Sequence, residues 1–89
     1  MNLKAFTVYD EKAHAYITPF FMHHEGMALR TFMNMVNDPD HQFGLNPEDY
    51  TLYYIGEFDD MAGTLIPLPK EELGNGRYLK DKQETSEDG

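Results

Sequence analysis

Eighty-nine residues with a formal net charge of −9 make one small acidic domain, whose limited core makes dimerisation a natural supplement to stability. The absence of cysteine excludes a disulfide framework and a thiolate metal site, and fits a reducing compartment. No apolar run approaches about 18 residues, which excludes a membrane-spanning helix; the chain opens without a basic and then apolar leader, so no signal peptide is expected.

Residues 2–9 alternate, with Lys4, Phe6 and Val8 on one side and Leu3, Ala5, Thr7 and Tyr9 on the other, and predict a first strand. A polar break at Asp10-Glu11-Lys12-Ala13 follows. Residues 15–22 carry Tyr16, Ile17, Phe20 and Phe21 around Pro19. Because proline removes a ladder donor, this stretch predicts an edge strand or extended arm, paired with the first strand as an irregular hairpin.

The spacing predicts a helix over 25–37. Ala28, Leu29, Phe32, Met33, Met35 and Val36 fill one continuous arc, and Met27, Arg30, Thr31 and Asn34 the other. Glu25 suits the positive end of the helix, while His24 is a poor N-cap. Asp38-Pro39-Asp40 stops the helix, since the residue before proline avoids the helical region. Residues 41–46 read as a loop.

The segment beginning at Pro47 organises the rest. Turn chemistry at Asn46-Pro47 leads into nine residues rich in Tyr, Ile, Leu and Phe. Leu52, Tyr54, Gly56 and Phe58 fall on one side by period two, and Tyr53, Ile55 and Glu57 on the other. Both sides are apolar enough for a central strand. Residues 59–63 read as a hairpin loop, and 64–68 as a returning strand ended by Pro67 and Pro69. The expected organisation is one domain over 1–69, an extended arm over 70–79 and a disordered acidic tail over 80–89. The fold class is α+β: a small, mostly antiparallel sheet of three to four strands with one amphipathic helix packed on one face. The first and central strands are expected to lie parallel, joined through the helix by a right-handed crossover.

The chemistry is sparse. Lys4, Lys12 and Arg30 are the only cations in residues 1–69, against ten carboxylates. Nucleic-acid phosphates recruit clustered Lys and Arg, so a role on DNA needs a dimer groove, aromatic stacking or a basic partner. Adjacent His23 and His24, with His14 and His41, lack a metal-ligand spacing, and no cofactor is expected. Glu48-Asp49 and Asp59-Asp60 are the carboxylates that turns attract. No phosphate loop or nucleophilic triad appears. Tyr50, Tyr53, Tyr54 and Phe58 suit core and cross-strand packing better than base stacking, and the helix methionines suit core filling.

Two spaced motifs carry a resemblance. Ala28-x-Arg30-x-Phe32-x-x-x-Val36-Asn37-Asp38-Pro39, followed by Pro47-Glu48-Asp49-Tyr50-x-Leu52-Tyr53-x-Ile55-Gly56-x-Phe58-Asp59, resembles the small nonstructural protein of microviruses, nearest to the gokushovirus branch of these single-stranded DNA phages. Phe6-Thr7-Val8-Tyr9-Asp10 and Tyr16-x-x-Pro19-Phe20 match in kind. The resemblance covers 1–68, and nothing past Leu68 is placed by it. His23-His24-Glu25-Gly26 departs from the family's Asn-Asp type of helix start.

The resemblance implies a non-capsid, non-enzymatic protein, often labelled DNA-binding, acting in the host cytoplasm in single-stranded DNA synthesis or packaging. The expected partners are phage replication or packaging proteins, a host replication factor, single-stranded DNA and a second copy of the chain in a homodimer. No membrane partner is expected. The family supplies no site residues; from charge and exposure, the expected contacts are Lys4, Lys12 and Arg30, with whichever of Tyr9, Tyr16 and Tyr53 is exposed. The alternative is an acidic interaction module, or DNA mimic, that occupies a basic surface on a host or phage protein.

Overall fold

The computed structural model describes residues 2–80. Strand β1 (Asn2–Asp10) turns at residues 11–14 into two short strands, β2 (Ala15–Tyr16) and β3 (Phe20–Met22), separated by the Pro19 segment. Helix α1 (Glu25–Val36), a short helix α2 (Gln42–Leu45) and a 3-10 turn (Pro47–Asp49) lead to β4 (Tyr50–Asp59), which pairs with β5 (Thr64–Asn75). Residues 76–80 add one helical turn. The architecture is the expected α+β one. Across the sheet the order is β2 and β3 end to end, then β1, β4 and β5, with every pairing antiparallel.

The expected parallel pairing of the first and central strands is therefore corrected: β1 and β4 are antiparallel, with Phe6 opposite Tyr54 and Val8 opposite Leu52. The reason lies in the intervening chain. Strand β3 runs back along β1 to end at Met22, opposite Lys4. The 12-residue helix then climbs about 18 Å, enough to return the chain to the other end of the sheet. Tyr50 thus enters beside Asp10, and β4 runs down. The helix does join two strands of the same direction, but these are β3 and β4, with β1 between them.

The core sits between α1 and one sheet face. Ala28, Phe32 and Val36 from the helix meet Phe6 and Val8 from β1, Tyr50 and Leu52 from β4, and Phe43 from α2. Phe32 is only 1 % exposed, as its place in the apolar arc predicts. The helix start has no side-chain cap, as expected for His24. Its end is closed by Asn37, whose Nδ2 donates to the Met33 carbonyl at 2.8 Å.

Two readings of local structure change. Residues 41–46 are not a loop: His41 caps α2 by accepting the Phe43 amide on Nδ1 at 3.0 Å, and Phe43 turns into the core. A four-residue helix is too short for periodicity to reveal. The returning strand does not end at Pro69 but continues through Asn75, so residues 70–75 of the expected arm lie in β5. Prolines are tolerated because β5 is an edge strand, paired on one side only, and its register shifts between Tyr54 and Gly56. Of the expected disordered tail, residues 81–89 lie outside the described residues.

A register shift between β1 and β4 decides which side chains reach each sheet face. Partners of β1 jump from Gly56 at Ala5 to Tyr54 at Phe6, leaving Ile55 as an extra residue in β4. The bulge breaks the strict alternation. Leu52, Tyr54 and Glu57 face the helix, whereas Tyr53, Ile55 and Phe58 face the other way, so Phe58 is not on the Leu52 side as period two predicts. Gly56 is required at the bulge, since a Cβ there would lie 2.4 Å from the Ile66 carbonyl oxygen.

Candidate functional site on the open face of the sheet

The second sheet face carries no helix among the described residues, and the aromatic side chains meet on it. Tyr9 of β1 lies opposite Tyr16 of β2, and their ring centroids are 4.8 Å apart. Tyr16 meets Tyr53 of β4 edge-on at 6.0 Å. Lys70 of β5 closes the group: its Nζ lies 4.7 Å from the Tyr16 ring centroid and 5.3 Å from that of Tyr53, and donates to the Tyr16 hydroxyl. Three rings and one ammonium thus form a continuous platform across all four strand positions. Tyr16 is the most open of the three rings, at 45 % exposure.

Local chemistry fixes this arrangement. The hydroxyl of buried Thr7 donates to the Ile17 carbonyl at 2.8 Å, and the Ile17 amide donates to the Val8 carbonyl at 2.9 Å. These bonds hold the chain beyond β2 against β1 and keep Tyr16 over the sheet. His14 adopts a positive φ of 54° in the tight turn that precedes it. The Tyr53 hydroxyl is held above its ordinary pKa, chiefly by burial and then by the Glu72 carboxylate beside it. The Lys70 ammonium is raised by its hydrogen bond to Tyr16. Both shifts favour a neutral Tyr53 phenol beside a firmly protonated Lys70 at neutral pH.

Toward the other end of the same face the surface becomes apolar. Phe21 of β3 packs on Phe58 of β4 at 5.8 Å, and a hollow of ≈ 290 Å³ runs between Pro19, Phe21, Ile55, Leu65 and Pro67. A smaller hollow lined by Thr7, Tyr16, Ile17, Pro19, Ile55 and Lys70 joins it to the platform.

The six residues named from sequence separate into two groups. Tyr9, Tyr16 and Tyr53 come together. Lys4, Lys12 and Arg30 do not join them or one another. Lys4 is on the helix side, 4.9 Å from the Tyr54 ring centroid, beside Glu57. Glu57 accepts from Asn2 Nδ2 at 2.9 Å and from the Tyr54 hydroxyl at 3.2 Å; these bonds and Lys4 hold its carboxyl below the usual range. Lys12 projects from the first turn and pairs with Asp49 at 3.4 Å. Arg30 is exposed on α1. The residue that sequence reasoning missed is Lys70. The signal was its adjacency to Pro69 in an edge strand: proline suits an edge, and a lysine there has a strand position from which to face the sheet. Among the described residues no group of three or more metal-capable side chains gathers.

The relatives agree with the reach of this fold. A family model described as Phage ORF5 protein matches residues 3–79, past the Leu68 limit of the motif resemblance and through all of β5. Protein ORF5 of Chlamydia phage 1, a gokushovirus, is 33 % identical over 72 residues, covering 76 % of this chain and 75 % of that protein. No solved structure matches. The helix and strand motifs, the extent of the family match and the likeness to a gokushovirus protein agree, and the chain belongs to the Phage ORF5 protein family, as a phage accessory protein of the microvirus type.

Proposed function

We propose that this protein is a non-catalytic accessory factor of single-stranded DNA synthesis or packaging, and that it contacts unpaired DNA through the open sheet face. The observation that carries this reading is the convergence of Tyr9, Tyr16 and Tyr53 beneath Lys70. Base–aromatic stacking contributes about 1–3 kcal/mol per base and tolerates any sequence, because every base has a π-face. The Lys70 ammonium supplies the platform with a cation that a backbone phosphate can pair with. A net charge of −9 works against this contact, so binding rests on stacking more than on counterion release and favours single strands over duplex.

The test is a titration of labelled single-stranded and duplex oligonucleotides at about 150 mM salt, where the Debye length is about 8 Å. The expected result is single-strand binding with a shallow salt dependence and much weaker duplex binding. Equal or tighter duplex binding contradicts the reading. Binding to neither favours a second reading that the charge itself supports: an acidic module that occupies a basic DNA-binding surface of a phage or host protein.

A further inference from the structure

We propose that the apolar half of the open face, centred on Phe21, Phe58 and Leu65, is the surface through which two copies of this chain associate. A sheet with two apolar faces needs a layer on each, and here α1 covers only one. Phe21 is 42 % exposed and Leu65 66 %, and between them Ile55 and Pro67 line a hollow with almost no polar surface. Apolar patches that are contiguous in this way mark association surfaces.

The chemistry selects the occupant. Residues 81–89 of the chain hold no apolar side chain and cannot fill the hollow. Among the described residues DNA phosphates find no cation there, because Lys70 lies at the other end of the face. An anionic membrane repels a chain of charge −9. A two-fold pairing joins two uncharged patches and closes without leaving a bare surface; the −9 on each copy opposes it, and salt of about 150 mM screens that repulsion beyond about 8 Å. The patch spans four strand positions, about 19 Å, by about five residues, about 17 Å. The projected area is roughly 320 Å² per copy, below the roughly 800 Å² per partner of a standard stable interface, so the association is weak and concentration-dependent. The pairing stands independently of DNA; its consequence, two tyrosine platforms flanking one interface, rests on the proposed DNA contact.

Sedimentation velocity of the full chain without DNA, from about 5 to about 500 μM, tests it. The expected result is a shift from monomer to dimer. Leu65→Lys, at a side chain already exposed in the single copy, is expected to keep the far-UV circular dichroism and to weaken dimerisation at least tenfold. Leu45→Lys, equally exposed at 66 % but on α2, is expected to dimerise as the parent does. If Leu65→Lys loses its fold, Leu65→Thr, which retains β propensity, is read instead with the same expected direction. A parent chain that stays monomeric throughout, or a Leu65 variant that dimerises as well as Leu45→Lys, overturns the proposal. Because DNA is absent, neither outcome bears on base stacking.

Discussion

Replacing Phe32 by Ala removes the ring on which the helix and sheet layers meet. The side chain is 1 % exposed, and its ring packs edge-on against Phe43 at 5.8 Å. Truncating a buried Phe costs about 3–5 kcal/mol, depending on how far the surroundings collapse into the space. Here they can move. A hollow of ≈ 410 Å³ already borders Phe32, and Met22 and Met35 line it with flexible side chains. This places the expected cost near the lower bound, about 3 kcal/mol. A domain of about 80 residues has a total stability of about 4–12 kcal/mol, so the variant folds but is marginal. At about 4–8 °C per kcal/mol, the melting temperature drops by about 12–24 °C. Calorimetry at fixed protein concentration, with urea unfolding followed at 222 nm, reads the change. A melting temperature within a few degrees of the parent refutes the two-layer packing.

Other expectations rest on single contacts. Gly56→Ala forces the Ile66 carbonyl to move and should destabilise by about 1–3 kcal/mol in urea unfolding; a neutral effect means that the bulge is not held by this close approach. Glu57, with its carboxyl held low by Asn2, Tyr54 and Lys4, contributes stability that is present above its unfolded pKa of about 4.3 and lost as pH falls through the folded value. The stability gap between the parent and Glu57→Gln should therefore narrow on acidification below that range in a urea–pH series, and a pH-independent gap contradicts this. Tyr16→Ala should weaken single-strand binding by about 1–3 kcal/mol without lowering the melting temperature appreciably, since the ring is half exposed. Lys70→Ala should act in the same direction and flatten the salt dependence; an unchanged affinity in both variants contradicts the stacking site.

The sequence is legible where one pattern dominates. The α1 arc leads directly to Phe32, Ala28 and Val36 in the core, and the aromatic run of β4 leads to an interior strand. It is misleading where local rules conflict with tertiary context. Pro67 and Pro69 read as a strand end because their missing amides break a ladder, yet β5 continues past them as an edge pinned to β4. The extra residue at Ile55 is invisible to a period-two reading, and it is what turns Phe58 to the open face. The direction of β4 depends on β3 being inserted before the helix, a choice that three paired residues make. Tyr9, Tyr16 and Tyr53 are individually conspicuous, but their convergence depends on the Thr7 and Ile17 bonds that hold the chain beyond β2 to β1. Lys70 was hidden for the same reason as β5.

The central claim is that unpaired DNA meets the tyrosine platform and not the scattered cations. The most direct measurement is a ¹⁵N–¹H correlation titration of the full chain with a short oligothymidine at about 150 mM salt, a level at which exposed charges are screened beyond about 8 Å. The account predicts that the largest shifts cluster on Tyr9, Tyr16, Tyr53 and Lys70 and their strand neighbours. Shifts centred on Lys4, Lys12 or Arg30, or no shifts at millimolar oligonucleotide, contradict it.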